Sequence, residues 1–399
     1  MHTLRHIHRI ITLLTIIAFV CAPVANAAQI ITDGNTATTL SVNGDVTDIT
    51  TATIQNDTAF NSFKKFNVDR GNTVNLHIPT GSSRLLNLVH NQKTTINGIL
   101  NAYQDGTIGG NVYFANPYGI VVADTGVVNV GSLTLQTPTR DYMKSVFDAP
   151  GVPNAEALEA IIDGSLPIYS FGKVDIDGTI NAAGSVMINA GDVEVAGAIS
   201  AGIQAQAKLA QFGSVVNVDG AQSGAGIVEE NGVIKIVALD DVTITGEVSI
   251  DGADNMDAGD IDIQAGDAIT VEKDALISAK GIGENSNGGE IIVYAQDDAE
   301  IDDNAVLDAS GGTISGNGGF IEFSAADKVT VNGGNMLAGA LNGAAGSILL
   351  DPVILDINAD DFTNGADKTF QADERINVNG VTISSRQIAG TDHENDASI

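Results

Sequence analysis

The clearest pattern along the chain is a seven-residue segment in which apolar and polar side chains alternate, and which returns at nearly constant intervals. It begins with glycine, ends with alanine and occupies residues 232–238, 259–265, 289–295 and 319–325. A fifth copy at 346–352 starts in the same way and then departs, and the five copies begin 27, 30, 30 and 27 residues apart. Because successive side chains of a strand point to opposite sides, the alternation predicts strands with one apolar side. The nearly constant interval indicates a repeat architecture.

Each repeat contains two further short runs with the same alternation. The second runs lie at residues 242–244, 269–271, 299–301 and 329–331, and the third at 248–250, 275–277, 305–307 and 336–337. A less regular version runs through residues 174–176, 186–188, 193–195 and 215–218. Three strands per repeat is the number in one coil of a β-helix, whereas a sandwich or barrel would not align the Gly and Ala positions. We expect an all-β fold, a right-handed parallel β-helix (solenoid) with an N-terminal cap and with its repeats in residues 165–357.

One segment, residues 138–164, interrupts the strand pattern. It is typical of two short helices, the second beginning at Asn154, or at Pro153 before it, and ending at Gly164. We expect a short helical insertion packed on the side of the stack. A covering role and a role in binding a partner both stay open for it.

The first 27 residues have the three parts of a secretory signal. Arg5 and Arg9 give a basic start, residues 10–22 are apolar, and residues 25–27 form a small-x-small cleavage site. A transmembrane anchor needs about 20 apolar residues, which is more than this run provides. We therefore expect residues 1–27 to be removed during export. The single cysteine, Cys21, would be lost with them, leaving neither disulfides nor thiolate metal sites.

The charge balance excludes an ordinary nucleic-acid partner. Lys and Arg number 18 against 50 Asp and Glu, a net charge of -32, so the basic footprint that neutralises phosphate is missing. Among the acidic residues, four that recur every three positions in a glycine-containing loop are candidate calcium ligands: Asp251, Asp254, Asp257 and Asp260. Their spacing matches neither an EF-hand loop nor the nonapeptide repeat of calcium-binding β-rolls. A solvated acidic face is the favoured interpretation, and we expect no cofactor.

A secreted polysaccharide-degrading enzyme is the alternative that this fold class leaves open. A lyase needs a basic residue to take a proton, yet no arginine lies between Arg140 and Arg375, and no histidine between His90 and His393. A glycosidase needs two carboxylates, which are abundant. An aromatic content of 5% without any Trp, however, offers few platforms for sugar rings. We expect no enzymatic activity.

Residues 29–137 carry several distinct motifs in a fixed order. They are AFNSFKKFNV at 59–68, TINGILN at 95–101, NVYFANPYGI at 111–120 and GVVNVGSLTL at 126–135. Together they resemble the secretion domain of the filamentous haemagglutinin family, the exported partners of two-partner secretion (TPS) systems. The family's Asn-Pro-Asn-Gly motif corresponds here to Asn116, Pro117, Tyr118 and Gly119, with Tyr118 in place of the second Asn. The family's second Asn-Pro motif is not apparent in this sequence.

The resemblance implies an N-terminal TPS secretion domain over residues 28–137. It implies capture by a cognate outer-membrane β-barrel transporter, through the transporter's periplasmic domains, in a Gram-negative-type bacterium. The product would be secreted or held at the cell surface, with an adhesin- or haemagglutinin-like role and a host or cell-surface receptor. Within the motif, Pro117 fixes φ at the first corner of a tight turn and Gly119 accepts angles that a branched residue cannot. A purely conformational role and a direct part in transporter recognition therefore both stay open.

The two ends of the expected stack differ. At the N-terminal end, Phe60, Phe63 and Phe66 are expected to fill the core of the cap. At the other end, residues 358–399 form a tail with a strand-like stretch at 376–383 and no obvious cap. Because an uncapped stack exposes a sheet edge, two alternatives follow. The chain is the front part of a longer exoprotein, or it ends in a partly disordered tail.

Overall fold

The computed structural model describes residues 28–206, 232–360 and 362–381. The predicted export signal with Cys21, the strand expected at residues 215–218 and the chain beyond residue 381 lie outside these ranges. Within them, the strands form a parallel β-helix with one sheet of 23 strands and one of 13, and neighbours in each sheet come mostly from successive coils. None of the helices in these ranges is long and apolar enough to cross a membrane.

Each regular coil contributes one strand to each of three faces, called here the first, second and third face. The first-face strands are Thr58–Val68, Arg84–Val89, Asn111–Ala115, Ser132–Gln136, Val186–Ala190, Val233–Ala238, Asp260–Ala265, Glu290–Ala295, Phe320–Ala325, Ser347–Leu350 and Asp367–Phe370. The second-face strands are Thr94–Ile96, Ile120–Val122, Lys173–Ile176, Asp192–Val195, Val242–Ile244, Ile269–Val271, Asp298–Ile301, Lys328–Val331, Ile354–Ile357 and Arg375–Val378. The third-face strands are Thr38–Asn43, Val46–Thr51, Thr73–Ile78, Ile99–Gln104, Thr107–Ile108, Val127–Val130, Thr179–Ala182, Ala198–Ala201, Glu247–Ser249, Leu276–Ser278, Val306–Asp308, Asn335–Leu337 and Thr363–Asn364.

The interior of the stack is an apolar column built from the inward half of the predicted alternation. One repeat position stacks five buried isoleucines in register: Ile234, Ile261, Ile291, Ile321 and Ile348. Burying a side chain of this size contributes about 1.5–3 kcal/mol. The column therefore supplies stability coil by coil.

The glycine that opens each repeat is required by the close stacking of the coils. A Cβ added to Gly289 would lie 1.9 Å from the carbonyl oxygen of Gly259, and one added to Gly319 would lie 1.9 Å from the carbonyl oxygen of Gly289. Backbone atoms cannot yield to such a contact as a flexible side chain can. The glycine therefore recurs because neighbouring coils lie too close together at this position to leave room for a Cβ.

Antiparallel strands close the N-terminal end of the stack. Gln29–Thr32 pairs with the long strand Thr58–Val68, as does the short strand Ile54–Gln55, and the hairpin formed by Thr38–Asn43 and Val46–Thr51 covers the start of the third face. This arrangement confirms the predicted cap, because it leaves no long parallel edge unpaired at this end.

Two of the three cap phenylalanines lie in the interior, and the third does not. The rings of Phe63 and Phe66 meet edge to face with centroids 5.1 Å apart, and Phe66 makes the same contact with Phe114. Phe60 is buried instead on the outside of the first face, in a cluster with Leu86 and the helical insertion, which corrects the prediction of one shared core. Strand alternation separates Phe60 from Phe63. Phe66 returns to the interior because the strand passes from the first to the second face after Phe63.

The insertion contains the two predicted helices. The first, α1 (Arg140–Lys144), begins after Thr139, and the second, α2 (Ala155–Asp163), begins after Asn154, whose side chain accepts a hydrogen bond from the Ala157 amide at 2.9 Å. Gly164 ends α2 with φ of 79°. A small antiparallel hairpin between the helices, Phe147–Ala149 with Val152–Pro153, was not predicted.

Residues 358–381 extend the stack beyond the predicted end of the repeats at residue 357. Asp367–Phe370 and Arg375–Val378 pair in parallel with the preceding coil. The rings of Phe362 and Phe370 stack with centroids 5.6 Å apart. The strand-like stretch expected at 376–383 is therefore part of a coil as far as Val378.

Candidate functional site

The Asn116 motif forms a turn at the first corner, the edge of the stack where each coil passes from the first face to the second. The turn joins Asn111–Ala115 to Ile120–Val122. The Asn116 amide donates to the Gln136 carbonyl of the next coil, and the Thr94 amide of the preceding coil donates to the Gly119 carbonyl. The turn is therefore held on both sides by backbone hydrogen bonds.

The Asn116 side chain is fully buried and links two coils. Its Nδ2 donates to the Gln92 carbonyl at 2.8 Å and to Thr94 Oγ1 at 2.9 Å, while its Oδ1 accepts from the Tyr118 amide at 2.9 Å. Both amide hydrogens and the carbonyl are thus engaged. Removing this side chain would take a partner from the buried Thr94 hydroxyl, at a cost of about 1–3 kcal/mol, and from the part-buried Gln92 carbonyl and Tyr118 amide.

Pro117 and Gly119 complete the turn in the way that the sequence predicts. Pro117 is buried, and the Gly119 amide donates to the Asn116 carbonyl at 3.2 Å. Gly119 has φ of 96°, and a Cβ there would approach the Lys173 carbonyl oxygen to 2.7 Å. Both its backbone angle and the adjacent coil therefore require glycine.

Tyr118, the residue that departs from the family motif, is the partly exposed member of the turn. The guanidinium of Arg140 lies 4.4 Å from the centre of the Tyr118 ring and 5.4 Å from that of Tyr169. The Tyr169 ring meets Phe171 edge to face at 5.5 Å. The Tyr118 ring is thus next to Arg140, near the start of the insertion, and Arg140 in turn is next to Tyr169, in the segment that returns from the insertion to the stack.

Sequence reasoning did not find Arg140, Tyr169 and Phe171. They are 22 to 53 residues from Tyr118, and only the path of the insertion, which leaves and rejoins the stack at this corner, brings them together. The single available signal was Phe171, an aromatic residue between Ser170 and Gly172, a pair typical of a turn.

The four calcium candidates each make separate contacts with the following coil. Asp254 Oδ1 accepts from the Glu284 amide at 2.9 Å, Asp257 Oδ1 from the Asn287 amide at 2.8 Å, and Asp260 Oδ1 from the Glu290 amide at 3.1 Å. Asp251 is buried and accepts from Ser278, the Lys280 amide and Gln204. The carboxylates cap backbone amides along the stack, and within the described ranges no group of three or more His, Asp or Glu side chains could hold a metal.

Asp251 is the buried member of this group, and its environment acts on its ionisation in two ways. Burial raises the pKa of its carboxyl, and the hydrogen bonds from Ser278 and the Lys280 amide oppose that rise.

A Ser, a His and an Asp also meet near the cap. Ser62 Oγ lies 3.0 Å from His90 Nε2 and donates to Asp33 Oδ2 at 2.6 Å, and the same carboxylate oxygen lies 3.6 Å from His90 Nε2. In a hydrolytic triad the carboxylate orients the other ring nitrogen of the histidine. Here the three groups join the N-terminal loop to the first two coils.

Comparison with known proteins places the chain in a family. The model of the TPS secretion domain matches residues 28–293, about two thirds of the chain and well beyond residue 137, where the sequence resemblance ends. The structure is similar to the HMW1 secretion domain from Haemophilus influenzae, with a TM-score of 0.50 and 16% identity, over 90% of this chain and 100% of that one. This likeness supports the fold. A search of curated proteins gave no match. The chain therefore belongs to the TPS secretion domain family, whose members are exported through a partner transporter in the outer membrane.

Proposed function

We propose that the first corner around the Asn116 turn is the surface by which the cognate transporter recognises this exoprotein. The observation that carries the proposal is that the Nδ2 and Oδ1 groups of the Asn116 side chain are all hydrogen-bonded within the fold. Since that side chain holds the turn, recognition falls to what the turn presents, namely the Tyr118 ring and the backbone beside it. The antiparallel cap next to this corner would start the stack as the chain emerges, each coil providing the template for the next.

Co-expression with the partner transporter tests this proposal. We expect the double variant Asn116→Ala with Pro117→Ala to lose most export, because the turn loses its shape. Tyr118→Ala should fold normally and still be exported poorly, which separates recognition from folding. Asn342→Ala, an exposed loop asparagine that donates to the Ile314 carbonyl far from this corner, is the matched control. Undiminished export of the double variant would overturn the proposal.

The exported product, in this proposal, is an adhesin-like exoprotein at the cell surface or in the medium. Support comes from one flank of the stack, where the loops at residues 252–258, 281–288 and 311–318 carry exposed polar side chains joined from coil to coil. Such a flank offers one continuous contact surface to a host or cell-surface receptor. Binding of the purified mature chain to cells, with and without the loop change Asn285→Ala, tests this role. Turnover of a polysaccharide panel, lost on changing one acidic pair, would favour the enzyme alternative instead.

A further inference from the structure

A cleft opens on the outside of the stack at the third corner, the edge where each coil passes from the third face to the first face of the next coil. The connection at this corner has six residues after Ile99–Gln104, one after Val127–Val130 and three after Thr179–Ala182. The long connection therefore stands out beside two coils that turn tightly. The space between them has a volume of about 400 Å³.

A short hairpin in the long connection forms one wall of the cleft. Gln104 pairs with Thr107 in antiparallel fashion, and Asp105 and Gly106 between them have φ of 51° and 83°. Two positive φ angles in a two-residue turn are typical of the type I′ hairpin. Gln104 Nε2 donates to the Ser82 carbonyl at 3.1 Å. The wall is therefore fixed to the preceding coil.

Backbone atoms of the two tight turns contribute the floor of the cleft, which is lined by Gly131 and Gly184. The Ser132 amide donates to the Gly110 carbonyl at 3.0 Å, and the Gly184 amide donates to the Gly131 carbonyl at 2.7 Å. These hydrogen bonds hold three coils together beneath the cleft. The floor is therefore formed before a ligand arrives, as in most small-molecule sites.

Three polar side chains that line the cleft retain hydrogen-bonding capacity: Asp105, Asn111 and Ser132. Among the residues that the structure describes, neither the Asp105 carboxylate nor the Asn111 side-chain amide has a hydrogen-bond partner. The Ser132 Oγ accepts from the Ser185 amide at 3.1 Å, which leaves the hydroxyl hydrogen free to donate. The cleft thus offers an acceptor, an amide and a hydroxyl to one ligand.

We propose that this cleft binds a neutral sugar residue of a glycan on the surface to which the exoprotein attaches. The inference rests on the proposed adhesin-like role and names its ligand class. Sugar hydroxyls both donate and accept hydrogen bonds, so they match all three groups together. The volume of about 400 Å³ lies within the range of about 300–1,000 Å³ typical of small-molecule sites. The polar loops at 252–258, 281–288 and 311–318 lie at the same corner in later coils.

Other ligand classes fit this cleft less well. Of the described side chains that line it, Asp105 alone is charged, so a phosphate or an acidic sugar would meet a carboxylate and no cation. An apolar ligand would find only two apolar side chains, Ile108 and Ala183. A peptide strand would need a sheet edge, and the hairpin strand Thr107–Ile108 is only two residues long. A neutral, hydroxyl-rich ligand is therefore favoured.

The test measures binding of the folded mature chain to immobilised glycans that end in glucose, galactose, mannose or N-acetylglucosamine, with glycans that end in sialic acid as the acidic comparison. We expect saturable binding to at least one neutral glycan. Asn111→Ala and Asp105→Asn should each weaken it about tenfold, and asparagine tolerates the positive φ at position 105. Asn43→Ala and Asp45→Asn, at exposed positions of the cap hairpin that do not line the cleft, should bind as the wild type does. Circular dichroism checks that each variant is folded.

The outcomes separate this inference from the proposed adhesin-like role. If Asn285→Ala reduces binding to cells while Asn111→Ala and Asp105→Asn do not, the cleft is not the receptor site and the proposed role stands. If the wild-type chain binds neither cells nor any glycan, the role and the inference fail together. Stronger binding to the glycans that end in sialic acid, or an equal loss of binding in Asp45→Asn, would overturn the assignment of a neutral sugar to this cleft.

Discussion

Asn181 donates its side-chain amide to the Oδ1 of Asn129 at 3.0 Å, although the helical insertion lies between the two residues and they are 52 positions apart. The contact belongs to a column of buried asparagines in which Asn129 donates to Asn101 and Asn101 donates to Asn75. Asn75 in turn donates to Asp48 Oδ1 in the cap hairpin at 3.1 Å. The third face therefore keeps its register across the insertion, and its polar column ends on a carboxylate of the cap.

Asn129→Ala should destabilise the early coils by about 2–3 kcal/mol. The change removes the partner of Asn181 Nδ2 and of Asn101 Oδ1, both buried. Denaturant unfolding measures the loss. Asn285→Ala is the matched control, since Asn285 belongs to a column of side chains that is exposed to solvent. Equal losses of unfolding free energy in the two variants would show that burial does not determine how much the asparagine column stabilises the fold.

Gly289→Ala should be one of the most damaging single changes in the repeats. Its Cβ would lie 1.9 Å from the Gly259 carbonyl oxygen, so two coils would have to separate, which we expect to cost more than the ~1–3 kcal/mol of ordinary overpacking. Gly109→Ala is the control, because no atom lies within 4 Å of its added Cβ and its φ is not positive. Thermal unfolding compares the two variants, and a similar midpoint for both would contradict the stacking argument.

Phe60→Ala should loosen the insertion and leave the interior of the stack largely intact. Phe60 packs outside the first face with residues of α1 and α2, such as Met143 and Ile161. Limited digestion with trypsin reports the effect, because Arg140 and Lys144 lie in the insertion and should be cut faster. Phe362→Ala, a buried change at the far end, should not accelerate these cuts. Unchanged cleavage in Phe60→Ala would indicate that the insertion is anchored elsewhere.

The cap should lose stability as the pH falls below about 6.5. Burial lowers the pKa of His90 from its usual value of 6.5, and the nearby Asp33 carboxylate offsets only part of this effect. The unfolded chain then binds a proton more readily than the folded chain, so His90 favours folding above pH 6.5 and loses this contribution as the pH drops through the lowered pKa. Unfolding curves of the wild type and His90→Gln at pH 8, 6.5 and 5 isolate the effect. Parallel pH profiles would contradict it.

Asp240 should make the opposite contribution. Loss of hydration raises its pKa, and repulsion from Asp192, Asp267 and Asp241 raises it further. The folded chain thus holds this proton at a higher pH than the unfolded chain does, so the ionised group opposes folding at pH 7 and the penalty is relieved on acidification. Asp240→Asn should therefore stabilise the later coils at pH 7 and low salt by less than about 1 kcal/mol. The gain should shrink in high salt, and a gain that is independent of salt would exclude repulsion as its cause.

The sequence by itself determined the repeat, the alternation, the two helices and the family motifs. Each of these depends on local chemistry: a period of two places Ile261 and Ile291 inside, Asn154 and Gly164 cap a helix, and Gly119 permits its turn. Only the tertiary structure decided which distant groups meet. The insertion buried Phe60 outside the first face, and the strand's path from one face to the next returned Phe66 to the interior. The register of the coils directed the loop aspartates to backbone amides, and the return of the chain from the insertion set Tyr169 and Phe171 beside Tyr118. Stacking converts separations of tens of residues into contacts a few ångströms long, and no pattern within a single repeat contains that information.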